Sequence, residues 1–119
     1  MARGIHAGLA AAVLAAASLL AGCGTTTDQL SIGDGPAPAG GNAILPAHLK
    51  AHRGHNVLFL ITNTAPDKVH GFSIDELKVQ QTIGTGETVP LMIKAVKAGT
   101  YRLYCHLHPA HEAAELVVS

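Results

Sequence analysis

Gly99-Thr100-Tyr101-Arg102-Leu103-Tyr104-Cys105-His106-Leu107-His108-Pro109-Ala110-His111 is the stretch from which the rest of the chain is best read. Its first half alternates. In an extended strand Tyr101, Leu103 and Cys105 share one face, so the thiol points inward at the strand's end. Its second half is a tight loop that leaves Cys105 and His108 three residues apart, close enough to ligate one ion.

Upstream, short β-like runs alternate with turn signals every ten to fifteen residues, the pattern of a sandwich or barrel. The runs are Leu49 to His52, Asn56 to Thr62, Gly71 to Ile74, Thr88 to Lys94, Thr100 to Cys105 and Ala114 to Val118. Gly54, Asn63-Thr64-Ala65-Pro66-Asp67, Gly84-Thr85-Gly86 and Ala98-Gly99 separate them with turn chemistry. Val57 to Ile61 is apolar on both faces, as a central strand with its outer face covered would be. Val89, Leu91 and Ile93 alternate with polar or exposed-type neighbours and predict a strand with one inward face.

The other end of the chain reads as an export signal. Arg3 and His6 precede Ala7 to Ala21, an almost wholly apolar segment of 15 residues that ends in Leu20-Ala21-Gly22-Cys23. As a helix it would span about 22 Å, short of the roughly 30 Å hydrocarbon core, and its length suits a secretory signal. The ending resembles a bacterial lipobox, which implies that Cys23 becomes a diacylated N-terminus and that the protein is anchored by lipid without spanning the membrane. Three segments are therefore expected: a signal peptide over 1–22, a lipidated N-terminus and flexible Gly/Thr/Pro-rich tether over 23–42, and one domain over 43–119.

Formal net charge is zero and charges are spread singly, so neither a nucleic-acid surface nor an acidic tail is indicated. With no Trp, two Phe and two Tyr the chain lacks stacking platforms for bases or sugars, whereas its eight histidines are unusual. If Cys23 is lipidated, Cys105 is the only thiol left and has no disulfide partner. A buried inert thiol is the plain alternative; the spacing to His108 favours a metal ligand. A thiolate suits Cu(I) and imidazoles suit Cu(II), so a His2Cys set fits an ion that cycles between them. The second imidazole is His70, 35 residues before Cys105, which must come from another strand end at the same pole of the sandwich.

At this point the sequence resembles the cupredoxins. Gly99 to Pro109 is similar to the short amicyanin-type ligand loop, Leu49 to Phe59 to the early hairpin, and His70-Gly71-Phe72-Ser73-Ile74 to cytochrome oxidase subunit II domains and nitrosocyanin. The resemblance implies an all-β, Greek-key cupredoxin-like sandwich with one copper ion held by His70, Cys105, His108 and His111. It departs from the pattern in two places. The second Cys of a binuclear copper centre is missing, and His111 stands where amicyanin-like loops place Met. Imidazole is the stronger, harder donor, so it favours Cu(II), lowers the potential and implies a green or red site in place of a deep blue one. Zinc would satisfy the same donors tetrahedrally; the cupredoxin-like context favours copper.

The remaining candidates read differently. His106 should face away from Cys105 and at most rim the site. His48, Lys50 and His52 share one strand face, read as solvated, with a weak second metal site including His55 as the alternative. Asp75, Glu76 and Glu112 read as surface residues, although nitrosocyanin-like sites use a Glu and Glu76 is the nearest. The implied function is a non-enzymatic one-electron carrier at the membrane, with a redox or copper-handling protein as partner. Copper capture and delivery, or a nitrosocyanin-like site reacting with a small molecule, are the competing functions.

Overall fold

The computed structural model describes residues 24–35 and 41–119. The expected signal peptide over 1–22 and the expected lipidation site Cys23 lie outside the described residues. Among the described residues nine strands follow one another: β1 (Thr25–Ile32), β2 (Ile44–Leu45), β3 (His48–Ala51), β4 (Asn56–Asn63), β5 (His70–Ile74), β6 (Val79–Ile83), β7 (Thr88–Ile93), β8 (Gly99–Leu103) and β9 (Ala114–Val118). Between β5 and β6 lies one 3-10 turn, Asp75–Leu77. The all-β expectation holds.

One sheet has the order β2-β1-β4-β7 and the other β3-β9-β8, to which the β5-β6 hairpin is joined by a bridge between Ser73 and Tyr104. β1 lies parallel to β4 and β3 parallel to β9, while the remaining pairs are antiparallel. Inward-facing side chains of both sheets make one core. Val57, Phe59 and Ile61 enter it from β4 by the two-residue period, and Phe59 meets Phe72 of β5 edge-on with ring centroids 5.7 Å apart. Leu58 and Leu60, expected to be covered, are only half-buried. β4 is central within its sheet but presents its outer face to solvent.

The expectation of a flexible tether over 23–42 is corrected at residues 25–32. Thr25–Ile32 pairs with β4 in register from Thr25 opposite Asn56 to Ile32 opposite Asn63, so the domain begins at its first described residues. Only its last apolar positions, Leu30 and Ile32, reach the core, at 2% and 0% exposure. Thr25, Thr27 and Gln29 face solvent, and that polar start hides the strand from a hydrophobic-periodicity reading. β2 escapes the same reading because it is too short, and β6 because it is largely polar. β2 has two residues, and β6 is Val-Gln-Gln-Thr-Ile, whose alternation contains only two apolar members.

Register fixes which residues share an end of the sandwich. Gly24, residues 52–56 and residues 93–99 gather at one end, where Gly54 N–H donates to Val96 O and Val96 N–H to His55 O. Ile32 to Asp34, Asn63 to His70, Ile83 to Thr88 and the 105–112 loop gather at the other. No helix among the described residues is long and apolar enough to cross a membrane.

If β1 is structural, Leu30→Ala in the folded domain should cost about 2–4 kcal/mol in a urea-unfolding measurement. A tether position would leave the midpoint unchanged.

Candidate metal centre

Two main-chain hydrogen bonds build the site. Ser73 N–H donates to Tyr104 O at 2.8 Å and Tyr104 N–H to Ser73 O at 3.1 Å, which fastens the end of β8 against β5. Cys105 is the next residue after this bridge and therefore arrives beside the beginning of β5, where His70 lies. The chain then turns tightly: His108 N–H donates to Cys105 O and His111 N–H to His108 O, both at 3.1 Å. Those turns bring His108 back over Cys105.

The three side chains converge. Cys105 Sγ lies 3.3 Å from His108 Nδ1 and 3.6 Å from His70 Nδ1, and the three donor atoms are within 4.8 Å of one another. An ion bonded at about 2.0 Å to imidazole and about 2.3 Å to thiolate has S to N edges of about 3.5 Å, so the triad has the size of a first coordination sphere. Cys105 and His70 are buried, at 3% and 0% exposure, and His108 is half-buried. Gly71 N–H donates to Cys105 Sγ at 3.2 Å, which holds the sulfur against the start of β5. Cys105 is unpaired.

His70 is held from behind. Its Nε2 is buried and faces Asp34 Oδ1 at 3.4 Å, while Lys68 Nζ lies 3.5 Å from the same oxygen. The pair does not meet hydrogen-bond geometry, but the charge of a carboxylate beside the outer nitrogen favours the proton there and leaves Nδ1 towards the other donors. Burial pushes the His70 imidazole below its ordinary 6.5, the neighbouring His108 pushes the same way, and Asp34 opposes them. The net result is a neutral ring. At Asp34 burial acts upward, but Lys68 and His70 together outweigh it and hold the carboxyl below its ordinary 3.8.

The loop before His70 is pinned by Asn63. Its amide donates to Lys68 O at 2.8 Å and Ile83 O at 2.9 Å, and its Oδ1 accepts from Ala65 N–H at 2.9 Å. Neither this role nor that of Asp34 was legible. Asn63 reads as a turn former, and Asp34 sits in Gly33-Asp34-Gly35 inside the expected tether.

His111 stands beside the triad and outside it, with ring centroids 5.4 Å from His108 and 6.3 Å from His70. Its Nδ1 is buried with no hydrogen-bond partner among the described residues. His106 faces away from Cys105, as expected. It makes a 2.7 Å hydrogen bond to Ser73 Oγ and lies so close over Gly71 that a Cβ there would stand 2.3 Å from its ring. Glycine at 71 thus lets His106 clamp the ligand loop to β5.

The other candidates lie away from the triad. Glu76 is exposed on the 3-10 turn, Asp75 accepts a hydrogen bond from Tyr104 Oη at 2.6 Å, and Glu112 is exposed. His48 and His52 are on the solvent face of the β3 region, His48 lies 3.6 Å from Glu115, and His52 packs on His55 with centroids 5.4 Å apart.

A family model described as a cupredoxin-like domain matches residues 9–118. The chain belongs to this family. No curated protein is similar enough in sequence to count as a match. Among solved structures, auracyanin A, a "blue" copper protein from Chloroflexus aurantiacus, is similar with a TM-score of 0.63 at 16% identity, over 81% of this chain and 100% of that one. The metal-binding domain of the Cu(I)-exporting P-type ATPase CopA of Streptococcus pneumoniae gives 0.65 at 14% identity, over 80% and 86%. A purple cupredoxin from Nitrosopumilus maritimus gives 0.54 at 20% identity, over 76% and 98%. At these identities the likeness is one of fold. With the His-Cys-His cluster, the cupredoxin-like fold supports copper as the bound ion.

Replacing Asp34 by Ala should weaken metal retention by about 10- to 100-fold in a chelator competition while the fold persists. Folding favours neutral His70, so its contribution to stability is complete above its ordinary value of 6.5 and is lost as pH falls through the lowered folded value. Urea midpoints of the metal-free protein should accordingly drop as pH falls below about 6.5, the ordinary imidazole value.

Proposed function

We propose that the protein is a lipid-anchored, mononuclear copper protein of the cell envelope that carries one electron at a time. The observation that carries this reading is the convergence of His70 Nδ1, Cys105 Sγ and His108 Nδ1 at one end of a rigid sandwich. Copper held there supplies a one-electron Cu(I)/Cu(II) couple.

The protein's own residues do the rest. The bridge between Ser73 and Tyr104 and the Asn63 hydrogen bonds hold the donors in place on both strands, so that little rearrangement accompanies a redox change. Gly71 N–H donates to Cys105 Sγ, and the Asp34 carboxylate faces the outer nitrogen of His70. His108 is the exposed edge of the triad, and Val69 and Leu107, at 46% and 47% exposure, flank the two histidines in sequence as apolar rim for brief docking of a redox partner. His111 is the fourth, weaker donor in this reading, supported by its buried and unpartnered Nδ1 beside the triad. The anchor is the lipid on Cys23, supported by the lipobox-like Leu20-Ala21-Gly22-Cys23.

Copper capture and delivery is the second reading, and the fold it shares with a Cu(I) exporter's metal-binding domain supports it. Zinc is the competing ion for the same donors.

A copper titration followed by visible and paramagnetic resonance spectra should reach one ion per chain, with a green, red or purple thiolate band that vanishes in Cys105→Ser. His111→Met should raise the potential and shift the band towards blue. Reversible, rapid voltammetry supports the carrier; sluggish voltammetry with rapid copper transfer to an acceptor would replace it with the delivery reading.

A further inference from the structure

The domain has no slack at its N-terminal end. Gly24 O accepts a hydrogen bond from Asn56 N–H at 3.1 Å, a Cβ on Gly24 would stand 3.0 Å from the His55 ring, and β1 begins at the next residue, Thr25. Cys23 is bonded directly to Gly24, and one residue spans at most about 3.8 Å between Cα atoms. On the anchor proposed above, on which this inference rests, the lipid is attached at the rim of the sandwich itself.

The two ends differ in charge. At the Gly24 end, residues 52–56 and 93–99 contain Arg53, Lys94 and Lys97, all exposed, with His52 and His55 and no acidic side chain; the carboxyl group of Ser119 also lies there, accepting from Arg53 N–H at 3.0 Å, and offsets one of the three cations. At the far end stand Asp34, Asp67, Glu87 and Glu112 against Lys68. The remaining charges lie between: Asp28, Lys50, Asp75, Glu76, Lys78, Arg102 and Glu115. Without Arg3, which precedes Cys23, seven basic side chains face eight acidic ones, and the domain is a dipole, positive where the lipid joins it and negative where the metal donors converge. β1, eight residues long, spans about 25 Å of the distance between the ends, well beyond a Debye length of about 8 Å at physiological salt.

We propose that the mature lipoprotein stands on the bilayer with its Arg53-Lys94-Lys97 end against anionic phospholipid headgroups, holding the His70-Cys105-His108 end away from the membrane. Short attachment limits tilt, and attraction of the three cations to a negative surface selects one orientation from those left. The partner that exchanges electrons or copper with this site is then a water-exposed protein domain reached about 25 Å above the headgroups, and not a small carrier dissolved in the bilayer.

The chain has no Trp, so single reporters can be placed at each end: Ala98→Trp near the cations and Thr85→Trp at the far end. The full-length, lipidated, copper-loaded protein is mixed with vesicles of phosphatidylcholine, with or without about a third phosphatidylglycerol, carrying a quencher on the headgroup. Flotation of the vesicles measures attachment. On anionic vesicles Ala98→Trp should lose most of its emission and Thr85→Trp almost none. The contrast should fall on neutral vesicles, in about 1 M salt, and in the triple variant Arg53→Gln, Lys94→Gln, Lys97→Gln, with flotation unchanged. Equal quenching of both reporters with the protein afloat overturns the orientation and spares the anchor. Failure to float, with no diacylglyceryl mass on Cys23, overturns the anchor and the orientation together.

Discussion

Everything at the metal donors depends on the pair of main-chain hydrogen bonds between Ser73 and Tyr104. They are the bridge that the described structure shows between the β5-β6 hairpin and the rest of its sheet. Because they involve backbone alone, side-chain chemistry at 104 and 73 is free for other work. Tyr104 reaches Asp75, and Ser73 holds His106. Without the bridge, Cys105 would end a strand and His70 would begin one, with no reason to meet.

The donors are set among polar groups. Gly71 N–H is directed at the buried Cys105 Sγ, and Lys68 and Asp34 form a polar rim behind His70. Burial and a neighbouring imidazole both disfavour protonated His70. The folded protein without metal therefore keeps its donors ready, and binding need not first strip a proton from that ring. The core beneath is small, so much of the rigidity at this end comes from hydrogen bonding by Asn63 and from the clamp of His106 on Gly71.

The same economy shapes the other end. β1 is polar along most of its length, and its place in the sheet comes from parallel main-chain pairing with β4 and from two apolar side chains at its far end. A strand of that kind brings Gly24 to one rim of the sandwich, and it carries Asp34 to the back of His70 on the opposite rim. One element thus spans the domain from end to end.

What the amino-acid sequence by itself determined was local. Cys105 and His108 follow from spacing and strand phase, His106 from the same alternation, and six strands from turn residues and two-residue periodicity. Only the tertiary structure decided that residues 25–32 are a strand, that Asp34 and Asn63 support His70, that Glu76 and the His48 face lie apart, and that His111 stands beside the triad instead of in it. The physical reason is range. Periodicity and spacing report interactions among near neighbours in sequence, whereas a polar strand is stabilised by pairing with β4 about thirty residues away, and a second-sphere carboxylate is defined only by the ring it meets.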